Sequence, residues 1–308
     1  MGKQAAFKTN PVSLEELLRH CGSGKIQLPD FQRSWVWDEE RIKGLIASIS
    51  QAFPVGALMT LEVKPGAADT FARRPIQGAD IVATAAPDQL LLDGQQRMTS
   101  LYQTCLRREV VQTVTPRLKL VRRWFYIDIR KAMNPAEDRE NAIVSVPEDR
   151  RIKSDFDRKI ELDLSTPELE YQNLMFPLNQ VFDWDEWQDG FNEYWLEKDP
   201  ETRRLFKPFK DEVLQNFKAY QLPVIALGPD TSHEAVCLVF EKVNTGGKPL
   251  DAFELVTAMY AARGHRLRDD WLGADGQAGL QTRLQLYGRA AEQKFGVLEK
   301  VAATDVLQ

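Results

Sequence analysis

The stretch LLLDGQQRMTSLYQTC, residues 90–105, joins two kinds of secondary structure within a few residues. Leu90, Leu91 and Leu92 form a short apolar run of strand type. Met98, Leu101, Tyr102, Cys105 and Leu106 then recur at i, i+3, i+4, i+7 and i+8, the spacing of one helix face. That face requires the helix to begin at or just before Arg97. Asp93, Gly94, Gln95, Gln96 and Arg97 therefore occupy a strand-to-helix junction, and the chain must pack helices against a sheet.

The flanking sequence extends this pattern. Ser13 and Glu16 have capping-box spacing ahead of Leu14, Leu17, Leu18 and Cys21, which predicts a first helix. Asp38 caps a second, in which Ile42, Leu45, Ile46, Ile49 and Phe53 share a face until Pro54 stops it. VGALMTLEV, RWFYIDI and YQLPVIAL read as strands. Residues 64–87, rich in Ala, Gly and Pro, read as an inserted loop between two strands. Between Asp183 and Glu201 eight acids accompany one lysine, with Trp184, Trp187, Phe191 and Trp195 at helical spacing. This predicts a helix with an aromatic core face and an acidic solvent face. SHEAVCLVFEKVN reads as a helix ended by TGGKPL, and Asp251 and Glu254 again have capping-box spacing.

Strands and helices alternate at uneven intervals, which points to an α+β, α/β-like chain with a mixed sheet rather than a regular doubly wound array. Residues 1–265 are expected to form one domain. Residues 266–308 are expected to begin a helical extension, apolar to its last residue and without a stop signal, as a truncated segment would be. There is no GxGxxG and no GxxxxGK[ST].

With 308 residues and 43% hydrophobic content the chain can bury a substantial core. Three widely spaced cysteines and three dispersed histidines argue against a disulfide framework or a zinc site and for a reducing cytoplasm. No window reaches the length of a membrane span. The net charge of −5 excludes an overall basic coat. It leaves room for a local one, since Arg107, Arg108, Arg117, Lys119, Arg122 and Arg123 face a single acid, Glu109, within residues 107–123.

A helix start presents unpaired backbone N–H groups and the positive end of the dipole, so the junction can hold an anion. Gly94 allows close backbone approach, and Arg97 supplies a planar fork suited to phosphate. Gln95 and Gln96 can donate to phosphate or position a water, while Asp93 can hold Mg²⁺ or accept a proton. The competing reading is local: Asp93 caps the helix, Gly94 eases the turn and the rest are solvated first-turn residues. Two further segments bear on the choice. LPDFQRSWVW sets Gln32 and Arg33 among Phe31, Trp35 and Trp37, which can stack on bases or anchor the core. FEKVNTGGKPL places Asn244, Thr245 and Lys248 at a Gly-Gly turn, either a nucleotide-contacting loop or helix punctuation.

In this order, the segments IQLPDFQRSWVWDEERIKGLIASI, PVGALMTLEV, LLLDGQQRMTSL and FEKVNTGGKPLDAFELV resemble the domain family of unknown function 262, the N-terminal part of GmrSD-type restriction enzymes. The resemblance covers most of residues 10–265. It implies a ParB/sulfiredoxin-like fold in which the DGQQR junction binds and hydrolyses a nucleoside triphosphate, with Mg²⁺, in a modification-dependent antiphage system that senses modified phage DNA. Carried over by residue, Asp93, Gln95, Gln96 and Arg97 become catalytic and Asp93 the metal ligand. Gly94, Arg97, Gln32, Arg33 and Asn244 become nucleotide-binding. The basic segment makes Arg33, Arg107, Arg108, Lys119, Arg122 and Arg123 candidates for DNA contact. An HNH-like nuclease domain further along the chain, or a separate nuclease subunit, is the expected partner, since this sequence has no such cluster. Homo-oligomerisation and the base of the NTP stay open. So do two other readings: a DNA-sensing module without turnover, and a ParB-like nuclease acting through DGQQR.

Overall fold

The computed structural model describes residues 7–239 apart from 31, 33, 65–70, 72, 82–85, 116, 118, 156–157, 233–234 and 237, and further residues 260, 267–274 and 276–290. The first sheet draws its strands from both ends of this span. They are β1 (Phe7–Ser13), β2 (Ile26–Pro29), β3 (Leu58–Glu62), β4 (Arg73–Arg74), β5 (Gln89–Asp93) and, from much later in the chain, Gln221–Leu227. Parallel pairs, β2 with β5 and β3 with Gln221–Leu227, alternate with antiparallel ones. The architecture is the α+β class with a mixed sheet.

Alternation along β5 separates two apolar layers, because successive side chains point to opposite faces. Leu91 joins the main core with α1 (Leu14–Ser23) and α2 (Glu39–Ser50), whereas Leu90 and Leu92 join a smaller cluster with Leu61, Phe71, Leu227 and Val236. Asp93 falls on the Leu91 side, facing the helices. There α3 (Gln95–Leu101) continues into a wider π-type turn, Tyr102–Leu106, and Met98, Leu101, Tyr102 and Cys105 are buried.

A second sheet is built on β7 (Leu120–Asp128). β6 (Val111–Val114) and Met175–Pro177 follow one another along one of its edges, and β8 (Ile143–Pro147) occupies the other, since Arg123 and Tyr126 each have partners on both sides. A hairpin, β9 (Arg151–Ser154) with β10 (Lys159–Asp163), follows. With Met175–Pro177 as β11, the late strand Gln221–Leu227 is β12.

The remaining helices are α4 (Ile129–Ala132), α5 (Pro167–Asn173), α6 (Asp185–Trp195), α7 (Pro200–Arg204), α8 (Phe206–Phe209), a π-type turn Lys210–Leu214, α9 (Gln215–Ala219), α10 (Leu267–Leu272) and α11 (Leu280–Ala290). On α6, Trp187 and Phe191 stack at 5.2 Å and are buried, while Asp185, Glu186, Asp189 and Glu193 are exposed, as the acidic-face pattern predicts.

Three expectations need correction. α2 ends at Ser50 and Phe53 is exposed, because Ala52 adopts a φ of 57° and turns the chain before the helical spacing can carry Phe53 inward. The strand predicted over VGALMTLEV starts only at Leu58. Residues 64–87 are more than a loop: Arg73 and Arg74 pair with β2, and Phe71 and Ile76 are buried. The helices predicted over the segment from Ser232 through Glu254 lie largely outside the described residues.

Candidate functional site

Two constraints at Gly94 shape the junction. Its φ is 93°, a region that side-chain-bearing residues avoid, and a Cβ there would lie 2.3 Å from Leu58 Cδ2 and 3.2 Å from Arg97 Nη2. Gly94 holds the N-cap position and no side chain caps the helix. The local reading in which Asp93 is the cap is therefore not what forms: Asp93 ends β5, and its Oδ2 accepts a hydrogen bond from Arg97 Nη2 at 3.2 Å.

Arg97 does more than meet this carboxylate. Its Nη1 donates to Val55 O at 2.6 Å and its Nη2 to Ala57 O at 2.8 Å. Gly56 lies between these carbonyls with a φ of 90°, and a Cβ on it would stand 2.7 Å from Arg97 Nη1. The Tyr220 hydroxyl, donating to Phe53 O at 2.5 Å, ties the same loop to the start of β12. Three of the five guanidinium N–H groups are thus committed. The Nε–H and one Nη1–H meet no partner among the described residues, and the side chain is 18% exposed.

The FQR segment is bound to the junction through glutamine amides. Gln32 Nε2 donates to Leu91 O at 2.6 Å and to Leu92 O at 3.0 Å. From the other direction, Gln96 Oε1 accepts from Val36 N at 2.9 Å and its Nε2 donates to Ser34 O at 3.1 Å. Trp35 Nε1 donates to Ser100 Oγ at 3.0 Å, and the ring is buried, so this tryptophan anchors the core rather than stacking on a base. Trp37 is partly buried against the same core. Arg74 Nη2 adds a bond to Gln32 O at 3.0 Å. The structure therefore brings Gln32, Asp93, Gly94, Gln96 and Arg97 together, with Gln95 buried beside them. Arg33 and Asn244 lie outside the described residues, as do Phe31, Thr245 and Lys248.

The basic segment looks different once folded. Arg107 pairs with Glu109, Arg108 with Asp183 at 3.1 Å, Arg122 with Glu148 at 2.7 Å and Arg123 with Glu39 at 3.0 Å. The six cations are not a free basic strip; Arg117 and Lys119, in the β6–β7 connection, are the two without a carboxylate partner among the described residues.

Sequence reasoning missed the Val55 and Ala57 carbonyls. A glycine at the entry to an apolar strand, Gly56, was the available signal of a close backbone approach.

For Mg²⁺ the donor set is small. No group of three or more His, Cys, Asp or Glu among the described residues could hold a metal ion. Asp93 Oδ1 carries no protein bond among them, so the junction offers one carboxylate oxygen. One carboxylate suffices where substrate phosphates and water complete an octahedral shell, so the residues fit Mg²⁺ arriving with a nucleotide.

A mixed-sheet α+β chain, with a DGQQR junction braced by an FQR segment, is the class of protein defined so far. The chain belongs to the family of the GmrSD restriction endonuclease N-terminal domain, whose model matches residues 14–261. It is also similar to the uncharacterised protein MJ0686 of Methanocaldococcus jannaschii, with 27% identity over 274 residues, 85% of this chain and 43% of that protein. The chain thus spans less than half the length of that relative. The family is one of restriction enzymes, which act on DNA. Among the described residues no helix is long and apolar enough to cross a membrane.

Proposed function

We propose that this chain is the nucleotide-binding and nucleotide-hydrolysing regulatory domain of a modification-dependent restriction system, coupling turnover at the DGQQR junction to sensing of modified DNA. The observation that carries the reading is the Asp93–Arg97 pair. Both groups are tied to the junction and part-exposed, Arg97 at 18% and Asp93 at 31%, yet Asp93 Oδ1 and two Arg97 N–H groups meet no partner among the described residues. Family membership over residues 14–261 supports a role in restriction.

In this reading the two remaining Arg97 donors meet phosphate oxygens, and the N–H groups of the first turn of α3 add to that field. Asp93 orients the attacking water or holds Mg²⁺, which when bound with the nucleotide would screen phosphate charge. Gln96 and Gln32 serve as positioning residues, because their amides are occupied by backbone groups of residues 34–36 and of β5. DNA contact falls to Arg33, Lys119 and the solvent-facing arginines of the 107–123 segment, whose exposed ion pairs a phosphodiester can displace at little cost. A nuclease domain or subunit outside residues 1–308 would supply cleavage, in a cytoplasmic protein.

The test is turnover of each of the four NTPs with Mg²⁺, with and without modified and unmodified phage DNA. Wild-type protein should hydrolyse at least one NTP, with a rate that responds to modified DNA, and Asp93→Asn should lower turnover by about a hundredfold or more. Turnover that survives both Asp93→Asn and Arg97→Ala would sink the assignment.

A further inference from the structure

Away from the junction, α6 and the α7–α8 path enclose an open cleft of about 380 Å³ lined by Gln188, Asn192, Arg203, Arg204, Lys207 and Lys210, with Pro200 and the buried ring of Phe206. Its lining holds four cations and no carboxylate. Arg204 is bound by Glu201 at 2.6 Å, and Lys210 Nζ lies 3.4 Å from Gln188 Oε1. Arg203 and Lys207 meet no carboxylate among the described residues.

This arrangement gathers positive charge that an anion would compensate. Leu205 keeps helical dihedrals between α7 and α8, so Arg203 and Lys207 stand four apart, and Lys207 and Lys210 three apart, on one helical path. Like charges at these spacings repel across a single turn. On the facing wall Gln188 and Asn192, also four apart, offer amide donors that suit phosphate oxygens.

The surroundings decide the size of the ligand. At about 100° per residue, Asp185 and Asp189 lie along one side of the Gln188–Asn192 face of α6, and both are exposed. Glu201 and Asp211, beside the cleft in sequence, are exposed too. A duplex laid over this face would bring its phosphates against those carboxylates, whereas a compact anion inside the cleft would meet only cations and amides.

We infer that this cleft is a binding site for a compact, multiply charged phosphate group, such as the polyphosphate chain of a nucleotide, separate from the Asp93–Arg97 junction. The site stands whether or not the junction hydrolyses NTP.

Isothermal titration of the full chain at low salt tests it, with inorganic tripolyphosphate, ATP and a short duplex DNA as separate titrants. Arg203→Glu/Lys207→Glu changes exposed residues, and its folding is checked by circular dichroism. Tripolyphosphate should bind the wild-type protein, should lose one binding event or at least about tenfold in affinity in the charge-reversed variant, and should keep it with Arg203→Lys/Lys207→Arg, whether or not NTP turnover, read separately, is found. For the binding that the charge reversal removes, ATP tighter than tripolyphosphate would assign the source as a nucleotide, and equal affinity would assign it to the phosphate chain alone; both support the site. Unchanged tripolyphosphate binding by the charge-reversed variant would overturn it. So would binding of duplex DNA with none of tripolyphosphate.

Discussion

Gly94→Ala should damage the protein more than a surface glycine change would, and its two causes can be separated. The first is backbone: at a φ of 93° a residue with a Cβ is strained, costing about 1–2 kcal/mol. The second is steric. The new Cβ would lie 2.3 Å from Leu58 Cδ2, and Leu58 is 1% exposed, so its end cannot swing into solvent. Overpacking of this kind costs about 1–3 kcal/mol. Together they predict a loss of about 2–5 kcal/mol, a fall in Tm of roughly 3–8 °C for a chain this large. Leu58→Ala alone should cost about 2–5 kcal/mol by leaving a cavity. In the double variant Gly94→Ala/Leu58→Ala the clash disappears, so the total should fall short of the sum by about 1–3 kcal/mol while the backbone cost stays. Calorimetric melts of the four proteins read this directly. A Gly94→Ala protein melting within about 2 °C of wild type, or strictly additive losses, would refute the account of why glycine is required here.

Gln96→Leu removes a donor and an acceptor from residues 34–36 and should cost about 1–3 kcal/mol, with faster amide exchange at Val36; unchanged exchange there would rule out the bracing role. Arg97→Lys keeps the charge but cannot span both Val55 O and Ala57 O, so it should lose about 2 kcal/mol and most turnover, measured by melts and by phosphate release. Glu170 accepts hydrogen bonds from Tyr126, Arg150 and Trp187, yet burial outweighs these donors and lifts its carboxyl from 4.5 to about 7. Between those values the folded state holds a proton that the unfolded state has released. Stability should therefore fall as pH rises from about 4.5 through about 7, by up to roughly 3 kcal/mol from this group. Denaturant melts should show a flatter profile for Glu170→Gln over that window, and a Glu170→Gln profile parallel to wild type would refute the assignment.

What could be read in the sequence was local. Ser13 and Asp38 cap their helices as their spacing predicts, accepting from Glu16 N at 3.2 Å and Arg41 N at 2.9 Å, because a cap needs only neighbours within one turn. The strand-to-helix junction was legible for the same reason, from the change of apolar period at residues 90–106. The bracing was not. Gln32 meets β5 across 59 residues and Arg97 meets Val55 across 42, and no periodicity reports which carbonyls a fold will bring to a side chain. The basic segment misled in the same way, since Arg123 finds Glu39 from 84 residues away. Arg203 and Lys207, which meet no carboxylate among the described residues, lie just past the Asp183–Glu201 stretch read for its acids and aromatics, where no pattern drew attention to them.

The geometry also separates what holds Arg97 from what it can do. A pair whose side chains are 18% and 31% exposed contributes about 0–1 kcal/mol, so Asp93 is a poor stabiliser of the fold. The bonds to Val55 O and Ala57 O come from a charged donor to neutral carbonyls, and those are the contacts that fix the side chain. A free arginine loses roughly 2 kcal/mol of rotamer entropy when a ligand immobilises it. Here that loss is incurred on folding, so the two remaining donors of Arg97 can meet an anion without it. The same bonds hold Asp93 and Arg97 within reach of one small charged group. Loosening the loop at Val55–Ala57 should therefore weaken anion binding even when neither Asp93 nor Arg97 is changed.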